Sequence, residues 1–270
     1  MKSKNIKIFA TDIDDTILPS GYKDIPNEII DMFSQLQQNN IKTVLVTGRD
    51  LVTIGRHINT PNIDYFIGAN GAFIYDFARK KIIWEKEISF SDFKLIEDFA
   101  YQQNVEFVIM DHKHIYYSDG HSDLDSPFLS KHQHKMKSIK DYTGDTPLHI
   151  ITIKEKYPNP DIMRNFASFL KEKNIQAEIS SRWTYGFFIS PVNIKKSITL
   201  IFLATLLGFT KDQIIAFGDS SNDVEMIRDV GYGVAMANAL DEVKSVAKDI
   251  AEDTRDLGVY KKAKELKLIN

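Results

Sequence analysis

The chain contains no cysteine, which removes disulfide staples, thiolate metal sites and cysteine nucleophiles from consideration. It has no apolar run long enough to span a bilayer. The longest, from Ile198 to Phe209, is interrupted by Thr199 and Thr205 and predicts a buried helix instead. Nor is there a large charge of one sign. With 34 Lys and Arg against 37 Asp and Glu, the formal net charge is -3, which gives no general attraction to nucleic acid or anionic lipid. Near the N-terminus, lysines precede a short apolar stretch that Asp12 cuts off, so no signal-peptide core forms. These absences predict a cytoplasmic protein with a small-molecule partner, no nucleic acid and no membrane, acting as a monomer or weak homodimer. What remains is ordinary globular composition, 43% hydrophobic and 26% charged over 270 residues. That is length enough for one large domain or for a core with a second, smaller unit.

Hydrophobic patterning favours the second arrangement. Ile6 to Ile13 is a short β-rich run, and Asn27 to Asn39 places Ile29, Ile30, Met32, Phe33 and Leu36 at helical spacing. Strands are predicted at Lys42 to Val46 and Tyr65 to Ile67, with a helical stretch through His57 between them. The alternation resumes with a helix from about Lys195 to Leu207, a strand at Ile214 to Phe217, a helix at Asp223 to Asp229 and a strand at Gly233 to Met236. Both ends thus build one α/β, Rossmann-like core with a parallel sheet, over residues 1–80 and 186–270. Residues 81–185 change character. Strands at Glu106 to Met110, His114 to Tyr117, Leu148 to Ile153 and Gln176 to Ile179, with helices at Ser91 to Gln103 and Asp161 to Lys173, predict an inserted α+β domain.

In a parallel sheet the residues just after each strand share one crevice. Four such places collect polar residues here: Asp12, Asp14 and Thr16; Thr47, Gly48 and Arg49; Lys196; and Gly218 through Asp223. Side chains at i and i+2 of an extended segment point one way, so Asp12 and Asp14 are expected to face one pocket and Asp15 to turn away. Close like charges raise one pKa unless a divalent cation neutralises both. Asp219 and Asp223 would complete an all-oxygen site suited to Mg2+. Thr47, the amide of Gly48 and Lys196 are the expected donors to a phosphoryl group, and charge stabilisation is the main demand of phosphoryl transfer. An Asp-x-Asp-x-Thr match alone arises by chance in roughly one chain in twenty. Joined to Gly-Asp-x-x-Asn-Asp in this order, coincidence falls to the order of one in ten thousand.

These residues resemble the haloacid dehalogenase superfamily, and within it the Cof-type sugar-phosphatase-like members. Asp12-Ile13-Asp14-Asp15-Thr16 is similar to the first motif, Thr47-Gly48-Arg49 to the second, Pro191 through Lys196 to the third and Gly218 through Asp223 to the fourth. Gly68 through Ala72 and Gly233 through Ala239 carry secondary similarity. The resemblance implies a cap of the C2B type for the insert, and a Mg2+-dependent phosphatase acting on small phosphorylated metabolites. It implies that Asp12 forms an aspartyl-phosphate and that Asp14 protonates the leaving alkoxide and then activates water. Asp12, the carbonyl of Asp14 and Asp219 would hold the metal, with Asp223 a further or water-mediated ligand. Thr47 and Lys196 would bind phosphoryl oxygens, and Asn222 would orient its neighbours or touch phosphate. The chain departs from the pattern in three places: the third motif has Asn193 and Ser197 where Gly usually stands near its lysine, which leaves Lys195 as a competitor to Lys196; the late loop Asp253-Thr254-Arg255-Asp256-Leu257-Gly258-Val259 lacks the usual Asn; and Ala237 replaces Gly before Asn238.

The remaining candidates carry ordinary alternatives. Arg49 is a substrate candidate that could equally be a surface arginine. Asn70, in the Gly-bracketed turn, is a substrate candidate that could equally serve the turn itself. His132 and His134 sit in a lysine-rich stretch that reads as a solvated face more readily than as a metal site. Trp183 and Tyr185 are either core aromatics or a stacking surface. Among other functions, a phosphotransferase or phosphomutase of the same superfamily shares every motif. A non-catalytic sugar-phosphate-binding regulator would be expected to have lost Asp12 or Asp14. A dinucleotide-binding dehydrogenase lacks its Gly-x-Gly-x-x-Gly after the first strand.

Overall fold

The structure is a computed structural model that describes residues 5–120, 130–155, 159–183 and 185–270. His121 and the side chain of Trp183 lie outside the described residues. The chain divides into two compact units: one holds the chain through Gly48 with Arg56–Glu85 and Lys195–Asn270, the other Arg49–Gly55 and Lys86–Ile194.

The first unit is built on an eight-stranded sheet. Its strands are β1 (Ile8–Thr11), β2 (Lys42–Val46), β3 (Tyr65–Gly68), β4 (Phe73–Asp76), β5 (Lys81–Glu85), β12 (Ile214–Gly218), β13 (Tyr232–Met236) and β14 (Asp249–Ala251), in the order β14-β13-β12-β1-β2-β3-β4-β5. From β14 to β3 every neighbour is parallel; β4 and β5 close the edge antiparallel. Central parallel strands are covered on both faces and so read as unbroken apolar runs. Accordingly Ile8, Phe9 and Ala10 of β1 are all fully buried, and Phe9 stacks on Phe217 of β12 with ring centroids 5.0 Å apart. Helix α1 (Asn27–Gln38) buries Ile29, Met32, Phe33 and Leu36, the i, i+3, i+4, i+7 stripe of an amphipathic helix.

Helix α4 (Lys196–Leu206) corrects the expectation of a wholly buried segment. Lys196, Thr199, Leu200, Leu203 and Ala204 face inward, but Ile198, Phe202 and Leu206 are exposed, and Phe202 is partly covered by Trp84 of β5. The predicted helix through His57 is a turn followed by a 3-10 segment, Gly55–Asn59.

The second unit is α+β. Helices α2 (Phe90–Gln102) and α3 (Pro160–Glu172) accompany β6 (Glu106–Met110), β7 (Ile115–Tyr117), β8 (Met136–Ser138), β9 (Ile150–Lys154), β10 (Ala177–Trp183) and β11 (Gly186–Pro191), in the sheet order β10-β11-β9-β6-β7-β8. Phe93, Ile96 and Ala100 of α2 and Phe166 and Leu170 of α3 share one buried cluster with Phe107, Ile151, Ile153, Phe187 and Ile189 of the strands. Ser89 and Asn159 cap the two helices by accepting from Asp92 N–H and Asp161 N–H, satisfying donors the helix cannot.

Two boundaries differ from the sequence reading. β5 was placed in the insert but pairs with β4 in the parallel-sheet unit, so the division falls after Glu85. β11 was placed in the core but lies between β9 and β10, which moves the second division to Ile194/Lys195. The short stretch Arg49–Gly55 also belongs to the second unit. Val52 is buried with Val108, Met110 and Ile115, and Lys135 Nζ donates to its carbonyl at 2.9 Å.

Candidate active site

β1, β2 and β12 are neighbours in register, Thr11 beside Leu45 and Phe217, so their C-terminal ends bring Asp12, Thr47 and Asp219 to one edge of the sheet. The Asp12 amide still donates to Phe217 O at 3.0 Å, and the strand then breaks. Thr16, Ile17 and Leu18 amides all turn back to Ile13 O, and Asp15 takes a left-handed φ of 53°. Asp14 therefore approaches Asp12 through a turn and not along a pleat, which corrects the stated reason while leaving the two acids near each other. Asp14 is exposed, and its charge adds to those acting on Asp12. Asp15 is engaged elsewhere, accepting from Ser20 N–H.

Lys196 opens α4 and is fully enclosed. Its Nζ lies 2.7 Å from Asp223 Oδ1 and 3.2 Å from Asp12 Oδ1. Lys195 pairs with Glu225 on the partly exposed side, so the structure settles which of the two lysines faces the carboxylates. Burial works against a charged lysine, but Asp12 and Asp223 outweigh it and hold the Lys196 ammonium above the ordinary lysine range. Asp12 is only 6% exposed. Burial pushes its carboxyl well above the usual carboxylate range, and Asp223, Asp219 and Asp14 add to the rise while Lys196 opposes it. Asp219 is raised to about 6, again chiefly by burial and then by Asp223, against hydrogen bonds from Thr16 and Ser220.

Asp223 is the organiser of its loop. Oδ1 takes Lys196, while Oδ2 accepts the amides of Asp219 and Ser220, both at 3.1 Å. A Cβ on Gly218 would lie 2.5 Å from Asp223 Cγ, so only glycine lets the strand end this close to the carboxylate.

A second group forms beside the first. Asn222 Nδ2 donates to Asn70 Oδ1 at 2.9 Å, and a Cβ on Gly48 would meet that same oxygen at 3.1 Å. Asn70 holds a left-handed φ of 57° and is 5% exposed; its N–H donates to Thr47 O. Asn222 Oδ1 is buried without a hydrogen-bond partner. Gly48, Asn70 and Asn222 are thus brought together, with Thr47 buried next to them. Arg49 falls in the second unit, where its guanidinium donates to Thr53 O at 3.3 Å.

Residues that the sequence reading did not single out support this site. Ser220 Oγ donates to Asp219 Oδ2 at 2.9 Å, Asn238 Nδ2 to Asp15 O at 2.8 Å, and Thr254 Oγ1 to Thr16 O at 3.0 Å. Asn238 lies in a stretch the sequence flagged as secondary similarity; Thr254 lies in the late loop noted only for its missing Asn. Hydrogen bonds to backbone carbonyls leave no residue-type signature, so the sequence had no means of marking them.

Asp12, Asp219 and Asp223 each offer an oxygen within 4.8 Å of the others, all three residues buried. Asp12 Oδ1 makes no hydrogen bond, and burial, with the neighbouring carboxylates adding to it, raises both Asp12 and Asp219. A buried, all-oxygen, over-charged cluster fits a hard divalent cation.

Comparison with known proteins finds relatives along nearly the whole chain. The chain is 28% identical to the 5-amino-6-(5-phospho-D-ribitylamino)uracil phosphatase YcsE of Bacillus subtilis, over 95% of this chain and 94% of that one. Among solved structures it is similar to the phosphatase BT1666 of Bacteroides thetaiotaomicron, with a TM-score of 0.84 at 20% identity, covering 98% of this chain and 96% of the other. It is also similar to the subclass IIB sugar phosphatase BT4131, with a TM-score of 0.80 at 19% identity, covering 97% and 100%. The family of haloacid dehalogenase-like hydrolases matches residues 9–262, and the chain belongs to that family.

Proposed function

We propose that this hydrolase is a Mg2+-dependent phosphatase of small phosphorylated metabolites, most specifically sugar phosphates, working through an aspartyl-phosphate on Asp12. The observation that carries the reading is Asp12 itself: a buried carboxylate with one oxygen making no hydrogen bond, 3.2 Å from an enclosed lysine and beside two further acids. Bound Mg2+ would neutralise the carboxylates and polarise the phosphoryl oxygens. Asp12, Asp219 and the Asp14 carbonyl are the residues to hold it. Asp223 is a further or water-mediated ligand, and its two oxygens also hold Lys196 and two amides of its loop.

Asp12 attacks phosphorus, with Lys196 opposing the rise that burial imposes on its carboxyl and drawing the phosphoryl oxygens toward positive charge. Asp14, exposed at the mouth of the turn, gives its proton to the departing alkoxide and takes one from the water that cleaves the intermediate. Thr47 and the Gly48 amide bind phosphoryl oxygens, with Asn70 and Asn222 orienting that wall. Arg49 is proposed as a substrate-binding residue. The sugar-phosphate class rests on the names of YcsE and BT4131, and the site residues support the phosphoryl chemistry alone. Among the described residues no helix is long and apolar enough to cross a membrane.

The test is release of inorganic phosphate from a panel of sugar phosphates, phosphoribityl compounds and nucleotides, with Mg2+ present and chelated. Turnover confined to the Mg2+ arm and strongest on sugar phosphates is expected. Isomerised substrate without net phosphate release would overturn hydrolysis in favour of phosphotransfer.

A further inference from the structure

Two loops distant in sequence grip the turn that follows β1. Asn238, after β13, donates from Nδ2 to the carbonyl of Asp15 at 2.8 Å, and its Oδ1 accepts the Thr254 amide at 3.1 Å. Thr254, after β14, donates from Oγ1 to the carbonyl of Thr16 at 3.0 Å. Thr16 in turn donates from its own hydroxyl to Asp219 Oδ1 at 2.7 Å. The chain of bonds therefore runs from the late loop, through the β1 turn, to a carboxylate oxygen of the acidic cluster. Thr16 is 1% exposed and Thr254 6%, so water competes weakly for these bonds. The late loop is itself braced: Asp253 accepts from Arg255 N–H, and Leu257 sits at a left-handed φ of 59°.

We propose that Thr254 and Asn238 are positioning residues for Asp219 and for the β1 turn, acting through Thr16, so that the late loop tunes the affinity of the site for Mg2+. The proposal rests on the reading of Asp219 as a Mg2+ ligand. A carboxylate binds a hard cation well only when its free lone pair is aimed, and hydrogen bonds to the ligand's other lone pairs do the aiming. Asp219 receives two such bonds, from Thr16 and Ser220. The Thr16 bond is only as well placed as the Thr16 backbone, and Thr254 and Asn238 hold that backbone at two consecutive carbonyls.

The experiment is titration calorimetry with Mg2+ alone on the unaltered protein and on Thr254→Val, Thr254→Ser, Asn238→Ala, Thr16→Val and the double variant Thr16→Val/Thr254→Val. Each variant's unfolding midpoint is measured in chelator. Valine keeps the shape of threonine and removes the donor; serine keeps the donor; Asn238 is exposed, so its alanine variant is safe for folding. Thr16→Val is expected to weaken Mg2+ about tenfold, the lower edge of the range for direct partners of a metal ligand, and Thr254→Val and Asn238→Ala, one bond further from Asp219, by about threefold to tenfold. Thr254→Ser is expected to bind as the unaltered protein does, and the double variant no more weakly than Thr16→Val. At saturating Mg2+, Thr254→Val should keep its kcat within about twofold while its KM for Mg2+ rises in step with the Kd. Unchanged Mg2+ affinity in both Thr254→Val and Asn238→Ala overturns the proposal. So does an additive loss in the double variant, which would place Thr254 outside the Thr16 route. If the unaltered protein binds no Mg2+, the reading of Asp219 as a ligand fails first and the proposal falls with it.

Discussion

Lys196 sits wholly enclosed between Asp223 at 2.7 Å and Asp12 at 3.2 Å, and that enclosure gives it a different weight from its neighbour Lys195. Removing one member of a buried ion network leaves uncompensated charge, at a cost of about 3–5 kcal/mol. Lys196→Met is therefore expected to lose both phosphate release and about that much unfolding free energy. Lys195→Met, whose ammonium meets Glu225 at the partly exposed surface, should change both by little; urea unfolding and turnover of the two variants check this. Asp219 gives the pH test. Its folded pKa of about 6 lies above the ordinary Asp value of 3.8, so the metal-free folded state holds its proton longer than the unfolded chain does. The group's stabilising contribution is full below about pH 4 and is lost as pH rises through 6. Asp219→Asn should accordingly stabilise the metal-free protein more at pH 7.5 than at pH 4, by up to ~3 kcal/mol for a shift of this size, and should abolish the stabilisation that Mg2+ gives at pH 7.5. Equal effects at the two pH values would contradict the cause assigned to the shift. The acids and Lys196 were legible because their chemistry demands those residue types at strand ends. Thr254 and Ser220 were not, since what they contribute is one hydroxyl directed by the fold.

At the scale of elements, β12 shows how closely a strand end is fitted to the site. Gly218→Ala would put a methyl carbon 2.5 Å from Asp223 Cγ, forcing the carboxylate that holds Lys196 to move. Overpacking of this kind costs about 1–3 kcal/mol, and a larger proportional fall in turnover than in stability is expected, measured by urea unfolding alongside phosphate release. β11 makes the complementary point. Its apolar run, Gly186–Pro191, stands immediately before the third motif, so a reading along the chain attached it to the core. Strand pairing places it between β9 and β10, because a non-local partner, not its own composition, decides which sheet a strand joins. Its amides should exchange with solvent as slowly as those of Ile151 and Ile153 in β9; much faster exchange at Phe187 to Ile189 would restore the boundary at 185. β1, β2 and α1 were readable because burial on both faces, or along one helical stripe, prints a period on the sequence. The exposed side of α4 was missed because its outward Ile198, Phe202 and Leu206 look no different in sequence from its inward leucines.

For the whole molecule, the relatives match along nearly their full length, and the proposed chemistry needs only one acidic crevice. The parallel sheet assembles that crevice from ends of chain more than 200 residues apart, Asp12 with Asp219 and Thr16 with Thr254. The first pairing was foreseeable, since the two motifs are needed together; the second belongs to this chain's own late loop. Substrate choice is the property least visible in these motifs, because phosphoryl chemistry uses the same residues whatever alcohol leaves. The central claim is covalent attack by Asp12, and borohydride trapping during turnover tests it most directly. Reduction of an aspartyl-phosphate converts the residue to homoserine, which peptide mass spectrometry locates. Homoserine at position 12, dependent on substrate and Mg2+ and absent from Asp12→Asn, is the expected result. Continued phosphate release by Asp12→Asn, or trapping at another residue, would contradict it.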